Sequence, residues 1–129
     1  MAFDPALLPD EVLAFLAERH LATLTTLGPE GRLHVAAVGF TFDPADGLVR
    51  IITGAGSQKA LNARRGGRAA VGQVDGARWL SLEGPSTVSG DPARVAAAVA
   101  AYTARYRPPR ENPTRVAIEI TVERVLGRA

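Results

Sequence analysis

Ser57, Lys59 and Asn62 are the residues whose types and spacing best suit chemistry, and that chemistry is the binding of an anion. They follow the apolar pair Ile51-Ile52 and the glycine-rich turn Thr53-Gly54-Ala55-Gly56. Ser57 is a helix-capping residue, so its hydroxyl and the free N–H groups of the first turn point the same way. Lys59 and Asn62 stand three apart and share a helical face. Helix N-terminus, hydroxyl, ammonium and amide together suit a phosphate. A capped, solvated helix after a turn is the competing reading of the same residues. Lys59 is also the only lysine in a chain whose other strong bases are all arginine.

The elements that position this segment can be read outward from it. Leu48 to Thr53 is a short strand that feeds the turn. Before it, Leu21 to Leu27 and Leu33 to Phe42 read as two strands joined at Gly28-Pro29-Glu30-Gly31, and Asp43-Pro44-Ala45-Asp46-Gly47 ends the second. The three form an antiparallel meander. Ala69 to Val74, Arg78 to Ser89 and Arg115 to Leu126 complete six strands. In the last, Val116, Ile118, Ile120 and Val122 share one face, with Glu119, Thr121 and Glu123 on the other.

An opening helix starts at Pro9-Asp10, with Val12, Leu13, Phe15 and Leu16 as its apolar face. It ends near His20, which reads as a cation at the helix C-terminus. A third helix begins at Asp91-Pro92 and runs to about Tyr106, with Val95, Val99 and Tyr102 on one face. Arg107-Pro108-Pro109-Arg110-Glu111-Asn112-Pro113 is then an extended, cationic loop. The expected fold is mainly β with flanking helices: a single domain over 1–129, built as a six-stranded antiparallel barrel.

Composition narrows the function. A formal charge of +2 is too mild for a nucleic-acid surface. Without cysteine there is no disulfide, thiol nucleophile or zinc–cysteine site. No apolar run reaches membrane-spanning length, and Met1-Ala2-Phe3-Asp4-Pro5 lacks a basic leader, so a cytoplasmic protein is the default. The chain carries no Gly-x-Ser-x-Gly, His-Glu-x-x-His, phosphate loop or dinucleotide fingerprint, and its two histidines lack metal-ligand spacing. An enzyme of this kind leaves the reaction to a bound cofactor. Gly39, inside Val38-Gly39-Phe40-Thr41, is either a barrel bulge or a place where a flat ligand meets backbone. Trp79 is either packing or a stacking surface. His34 reads as a partly exposed residue without a role.

The sequence resembles the pyridoxamine-phosphate-oxidase-like split β-barrel proteins that bind flavins or deazaflavins. The strand followed by Ser57-x-Lys59-x-x-Asn62 looks like the phosphate segment of the branch using the deazaflavin coenzyme F420. Longer blocks are similar to the actinobacterial F420-dependent biliverdin reductases: Phe15 to Leu21, Val38 to Pro44, Gly56 to Lys59, Gln73 to Gly84 and Glu123 to Gly127. The resemblance spans about Asp10 to Gly127, and the Gln73 to Gly84 block is its most specific part.

The resemblance implies a split-barrel homodimer with a coenzyme in each interfacial groove. Ser57, Gln58, Lys59 and Asn62 would hold the coenzyme phosphate. Val38, Gly39, Phe40, Thr41, Ile52 and Thr53 would line the deazaflavin by backbone contact, and Gln73, Val74, Trp79 and Leu80 would complete the groove, some from the partner. A hydride would pass to biliverdin, giving bilirubin, with Arg78, Arg107 and Arg110 as candidate partners for the two propionates. Arg64, Arg65 and Arg68 are candidates for the acidic coenzyme tail. The residues by themselves do not separate F420 from FMN, since each presents a planar ring and a phosphate. An FMN-dependent oxidoreductase and a non-catalytic cofactor or tetrapyrrole carrier therefore stay open.

Overall fold

Nine strands and three α-helices follow one another in the computed structural model, which describes residues 1–129. Strand β1 is Ala2–Phe3, helix α1 Asp10–Ala17, β2 Ala22–Leu27, β3 Leu33–Val38, β4 Thr41–Asp43 and β5 Leu48–Gly54. Helix α2 is Gln58–Arg64, β6 Arg68–Asp75, β7 Arg78–Ser89, α3 Pro92–Arg105, β8 Arg115–Thr121 and β9 Arg124–Arg128. The strands run in the order β3-β2-β6-β7-β8-β5-β4, with β9 on β7 and β1 on β9.

Nine strands replace the expected six because two long strands are broken and a short one is added. Leu33 to Phe42 is interrupted at Gly39-Phe40. Its first half, β3, pairs with β2, and its second half, β4, pairs with β5. The chain crosses there from one half of the barrel to the other. Arg115 to Leu126 breaks at Val122-Glu123 for a matching reason. β7 is shared: Trp79 to Glu83 pair with β9, and Ser86 to Ser89 pair with β8. The corner between these stretches is Gly84, where an added Cβ would lie 1.8 Å from the Thr121 carbonyl oxygen. A side chain there would drive the two backbones apart. The added strand, β1, pairs with β9.

The core lies inside the barrel, where Leu24, Val49, Ile51, Leu82 and Ile118 meet Phe15 of α1. β8 is buried on both faces, so the expected polar face of Glu119 is covered. Glu119 is buried and accepts a bond from Arg94 Nη1 of α3 at 2.7 Å. His20 does not cap α1, which ends at Ala17. Its Nε2 instead lies 3.0 Å from Glu18 Oε1.

Candidate functional site

At the end of β5 the chain builds the expected cap. The Thr53 hydroxyl donates to Ser57 Oγ at 3.0 Å, and Ser57 Oγ accepts the Ala60 N–H at 3.3 Å. The helical ladder opens with Leu61 N–H to the Ser57 carbonyl, leaving the Gln58 and Lys59 amides ahead of it. The Ala55 N–H donates to the Thr114 carbonyl at 2.9 Å, tying this turn to the loop before β8.

Beside the cap lies a groove of about 290 Å³. Its floor is Ala37 and Val38 at the end of β3, Gly39 just after it, and Ile52 and Thr53 from β5. Lys59 stands on one wall, and Tyr102, Pro109, Asn112 and Arg115 form the other. Lys59 and Arg115 are its charged residues, and no carboxylate faces them. The volume sits at the low end for a cofactor site. An apolar floor with a cationic wall fits a flat ring bearing an anionic arm. Helical spacing puts Tyr102 on a helix face and no more, and nothing in the sequence singles out Asn112 or Arg115. The usable signal was Tyr102-x-x-x-Tyr106, two rings one helical turn apart at the helix end.

Several expected site residues lie elsewhere. Asn62 is buried, its Nδ2 donating to Thr26 Oγ1 at 3.1 Å while its Oδ1 accepts from Gln58 Nε2 at 2.7 Å. Its amide therefore ties α2 to β2, and Gln58 leans toward it. Phe40, Thr41, Gln73 and Leu80 have buried side chains outside the groove. Gln73 Nε2 donates to the Phe15 carbonyl at 2.9 Å, linking β6 to α1. Thr41 lines a separate hollow with Leu16, Phe42 and Arg105.

Arg78 does not reach the groove. It holds Glu18 through bonds of 2.8 and 3.0 Å, also bonds Asp75, and lies 4.3 Å over the Phe15 ring. The bonds from Arg78, then from His20, pull the Glu18 carboxyl down to about 2. Glu18, His20 and Asp75 bring ligand-type atoms within 4.8 Å of one another, but Arg78 already bonds both carboxylates. Arg107 and Arg110 line a hollow that shares Tyr102 and Pro109 with the groove, so they stand at its mouth. Arg68 is paired to Glu83 at 2.8 Å and Glu123 at 2.7 Å. Arg65 lines a polar hollow beside Gly28, Gly66 and Gly67, while Arg64 is exposed.

Val74 and Trp79 are cross-strand partners, both exposed on the outer face of β6 and β7. Across β2 and β3 that face continues through Leu27, Leu33 and Val35, also exposed. The ion-paired Arg68 and Glu83 stand at its edge. An exposed sheet face this apolar marks an interaction surface. It adjoins the groove through Ala37, which pairs with Thr23 of β2.

Comparison with known proteins agrees with this architecture. A match to pyridoxamine 5'-phosphate oxidase covers residues 8–129. A biliverdin reductase of Mycobacterium tuberculosis that depends on reduced F420 is 59% identical over 122 residues, covering 95% of this chain and 89% of that protein. The crystal structure of a conserved hypothetical protein of Mycobacterium tuberculosis superposes with a TM-score of 0.79 at 26% identity, over 95% of this chain and 85% of the other. An F420 reductase structure superposes with a TM-score of 0.74 at 23% identity, over 92% of this chain and 98% of the other.

Proposed function

The chain belongs to the pyridoxamine 5'-phosphate oxidase family, and we propose that it is a cytoplasmic, homodimeric oxidoreductase that uses coenzyme F420 to reduce biliverdin to bilirubin. The observation that carries this reading is the 59% identity, over nearly the whole chain, to a biliverdin reductase that depends on reduced F420. The groove suits the same chemistry, with an apolar floor and a cationic wall free of carboxylates.

Reduced F420, when bound, supplies a hydride for the central methine carbon of biliverdin, and solvent supplies the accompanying proton. The chain's own residues bind and orient. Lys59, the Ser57 hydroxyl and the amides of Gln58 and Lys59 take the coenzyme phosphate. Val38, Gly39, Ile52 and Thr53 form the surface for the ring. Phe40, Thr41, Gln73 and Leu80 are buried in the fold outside the groove, and Asn62 ties α2 to β2. Arg107 and Arg110 meet the substrate propionates, while Arg78 serves the end of α1. Arg64 and Arg65 are open to the acidic coenzyme tail.

A second copy of the chain covers the apolar face of β3, β2, β6 and β7. Its Val74 and Trp79 approach the groove from the side of Ala37 and extend its lining. The small groove volume and the continuity of that face with Ala37 support the dimer. Parallel titrations with F420 and FMN test the cofactor. The reading expects tight F420 binding and weak FMN binding, and the reverse result would reassign the groove to FMN.

A further inference from the structure

Arg105 and Tyr106 close α3 next to the point where β3 gives way to β4. There the chain leaves one half of the barrel for the other, so the Phe40 backbone has no ladder partner. Buried peptide groups of this kind need replacement partners. Two side chains provide them. The Phe40 N–H donates to Tyr106 Oη at 3.2 Å, and the Phe40 carbonyl accepts from Arg105 Nη1 at 2.5 Å. The Tyr106 hydroxyl donates in turn to the His20 carbonyl at 2.6 Å.

The rest of the Arg105 fork is engaged as fully. Nη2 donates to Gln73 Oε1 at 2.6 Å and Nε to the Glu18 carbonyl at 2.8 Å. All of its acceptors are neutral oxygens, and no carboxylate pairs with it. Its ring neighbours are Phe40 at 4.7 Å and Tyr106 at 5.1 Å. A half-buried cation without a counterion is unfavourable unless hydrogen bonds compensate it. Three of its five N–H donors fix one backbone corner, together with β6 and the end of α1.

That corner adjoins the groove. Gly39, one residue earlier, is part of the groove floor. A Cβ at Gly39 would lie 3.0 Å from the ring of Tyr102, itself a groove wall, and 3.1 Å from the Tyr106 ring. The two rings are themselves in contact, tilted by 34° with centroids 4.9 Å apart. The groove floor is thus flanked by two aromatic rings and anchored by two polar groups from the same helix end.

We infer that Arg105 and Tyr106 are positioning residues that set the height of the Val38–Phe40 backbone beneath the coenzyme ring. The inference rests on the proposed F420 reading. It requires more than stability of these residues, because a shift of the floor moves the ring relative to the substrate. Misplacement by about 1 Å costs on the order of a hundredfold in rate.

Tyr106→Phe keeps the ring against Gly39 and removes the hydroxyl. Arg105→Lys keeps the charge and loses the fork. Both variants are compared with wild type for F420 dissociation constant, kcat, KM for biliverdin and melting temperature. The expected result is about a tenfold weaker F420 complex, from the loss of a net hydrogen bond or two, with a lower kcat and an unchanged KM for biliverdin. Folded variants with wild-type F420 affinity and kcat would overturn the inference, however far their melting temperatures fall. If one variant does not fold, the other decides by the same numbers. Failure of the wild type to bind F420 would instead overturn the reading on which the inference stands.

Discussion

Lys59 and Asn62 stand three residues apart on α2, yet their side chains meet different surroundings. Lys59 lines the groove beside Ile52 and Thr53, while Asn62 is buried with its Nδ2 3.1 Å from the Thr26 hydroxyl. One side chain faces a groove, and the other is spent on a bond inside the fold.

The two substitutions should therefore separate. Lys59→Ala weakens F420 binding by about 1.5–3 kcal/mol, the range for a hydrogen bond to a charged group, and leaves the melting temperature near wild type. Asn62→Ala leaves Thr26 without its donor in a buried place and destabilises the fold by about 1–3 kcal/mol. Fluorescence titration of the coenzyme and urea denaturation measure the two effects. A Lys59→Ala variant that unfolds under conditions where wild type is intact would give that lysine a structural role.

The arginines differ in the same manner. Arg107→Ala and Arg110→Ala should each raise KM for biliverdin up to about fivefold, as expected for an exposed pair of about 1 kcal/mol. Arg78→Ala should leave that KM unchanged, since its guanidinium holds Glu18 and Asp75. Steady-state kinetics with saturating coenzyme checks this, and a raised KM in Arg78→Ala alone would reverse the assignment.

Glu18 predicts a pH dependence. Its carboxyl lies at about 2 in the folded chain, against an ordinary 4.5, because Arg78 and then His20 bond to it. Between those values the unfolded chain binds more protons, so the stability from this group rises with pH. It is fully present above about 4.5 and is lost as pH falls through about 2. The melting-temperature gap between wild type and Glu18→Gln should close over that interval. A gap that stays constant would mean the pair contributes packing and not charge.

The outer face of β2, β3 and β6 predicts an assembly. Val35→Glu combined with Val74→Glu places charge on two exposed apolar positions of that face. Sedimentation should show wild-type dimers and variant monomers, and the monomers should bind F420 at least tenfold more weakly because the partner's contribution to the groove is missing. A monomeric wild type with full affinity would remove the partner from the site.

What was legible in the sequence was local. The Thr53 to Lys59 segment is a strand end, a turn and a cap, and adjacent residues decide each of these. The cap formed as expected. Asn62 was misread because helical spacing says which face a residue occupies, not what covers it, and its partner Thr26 is 36 residues away. The break at Gly39-Phe40 was half legible, since Gly39 reads as a bulge, but not as a crossing between the two halves of the barrel. An alternating apolar stretch reads as one strand, and the partners that hold the crossing, Arg105 and Tyr106, belong to α3. Gln73 and Leu80 were placed in the groove by resemblance. Alternation along β6 and β7 turns them inward and turns Val74 and Trp79 out.

The measurement closest to the central claim is a single anaerobic reaction of purified protein, reduced F420 and biliverdin, following coenzyme oxidation and bilirubin absorbance together. The account predicts that the two signals appear in equal amounts and that Lys59→Ala slows both at limiting coenzyme. F420 binding without bilirubin, or turnover that requires FMN in place of F420, would contradict it.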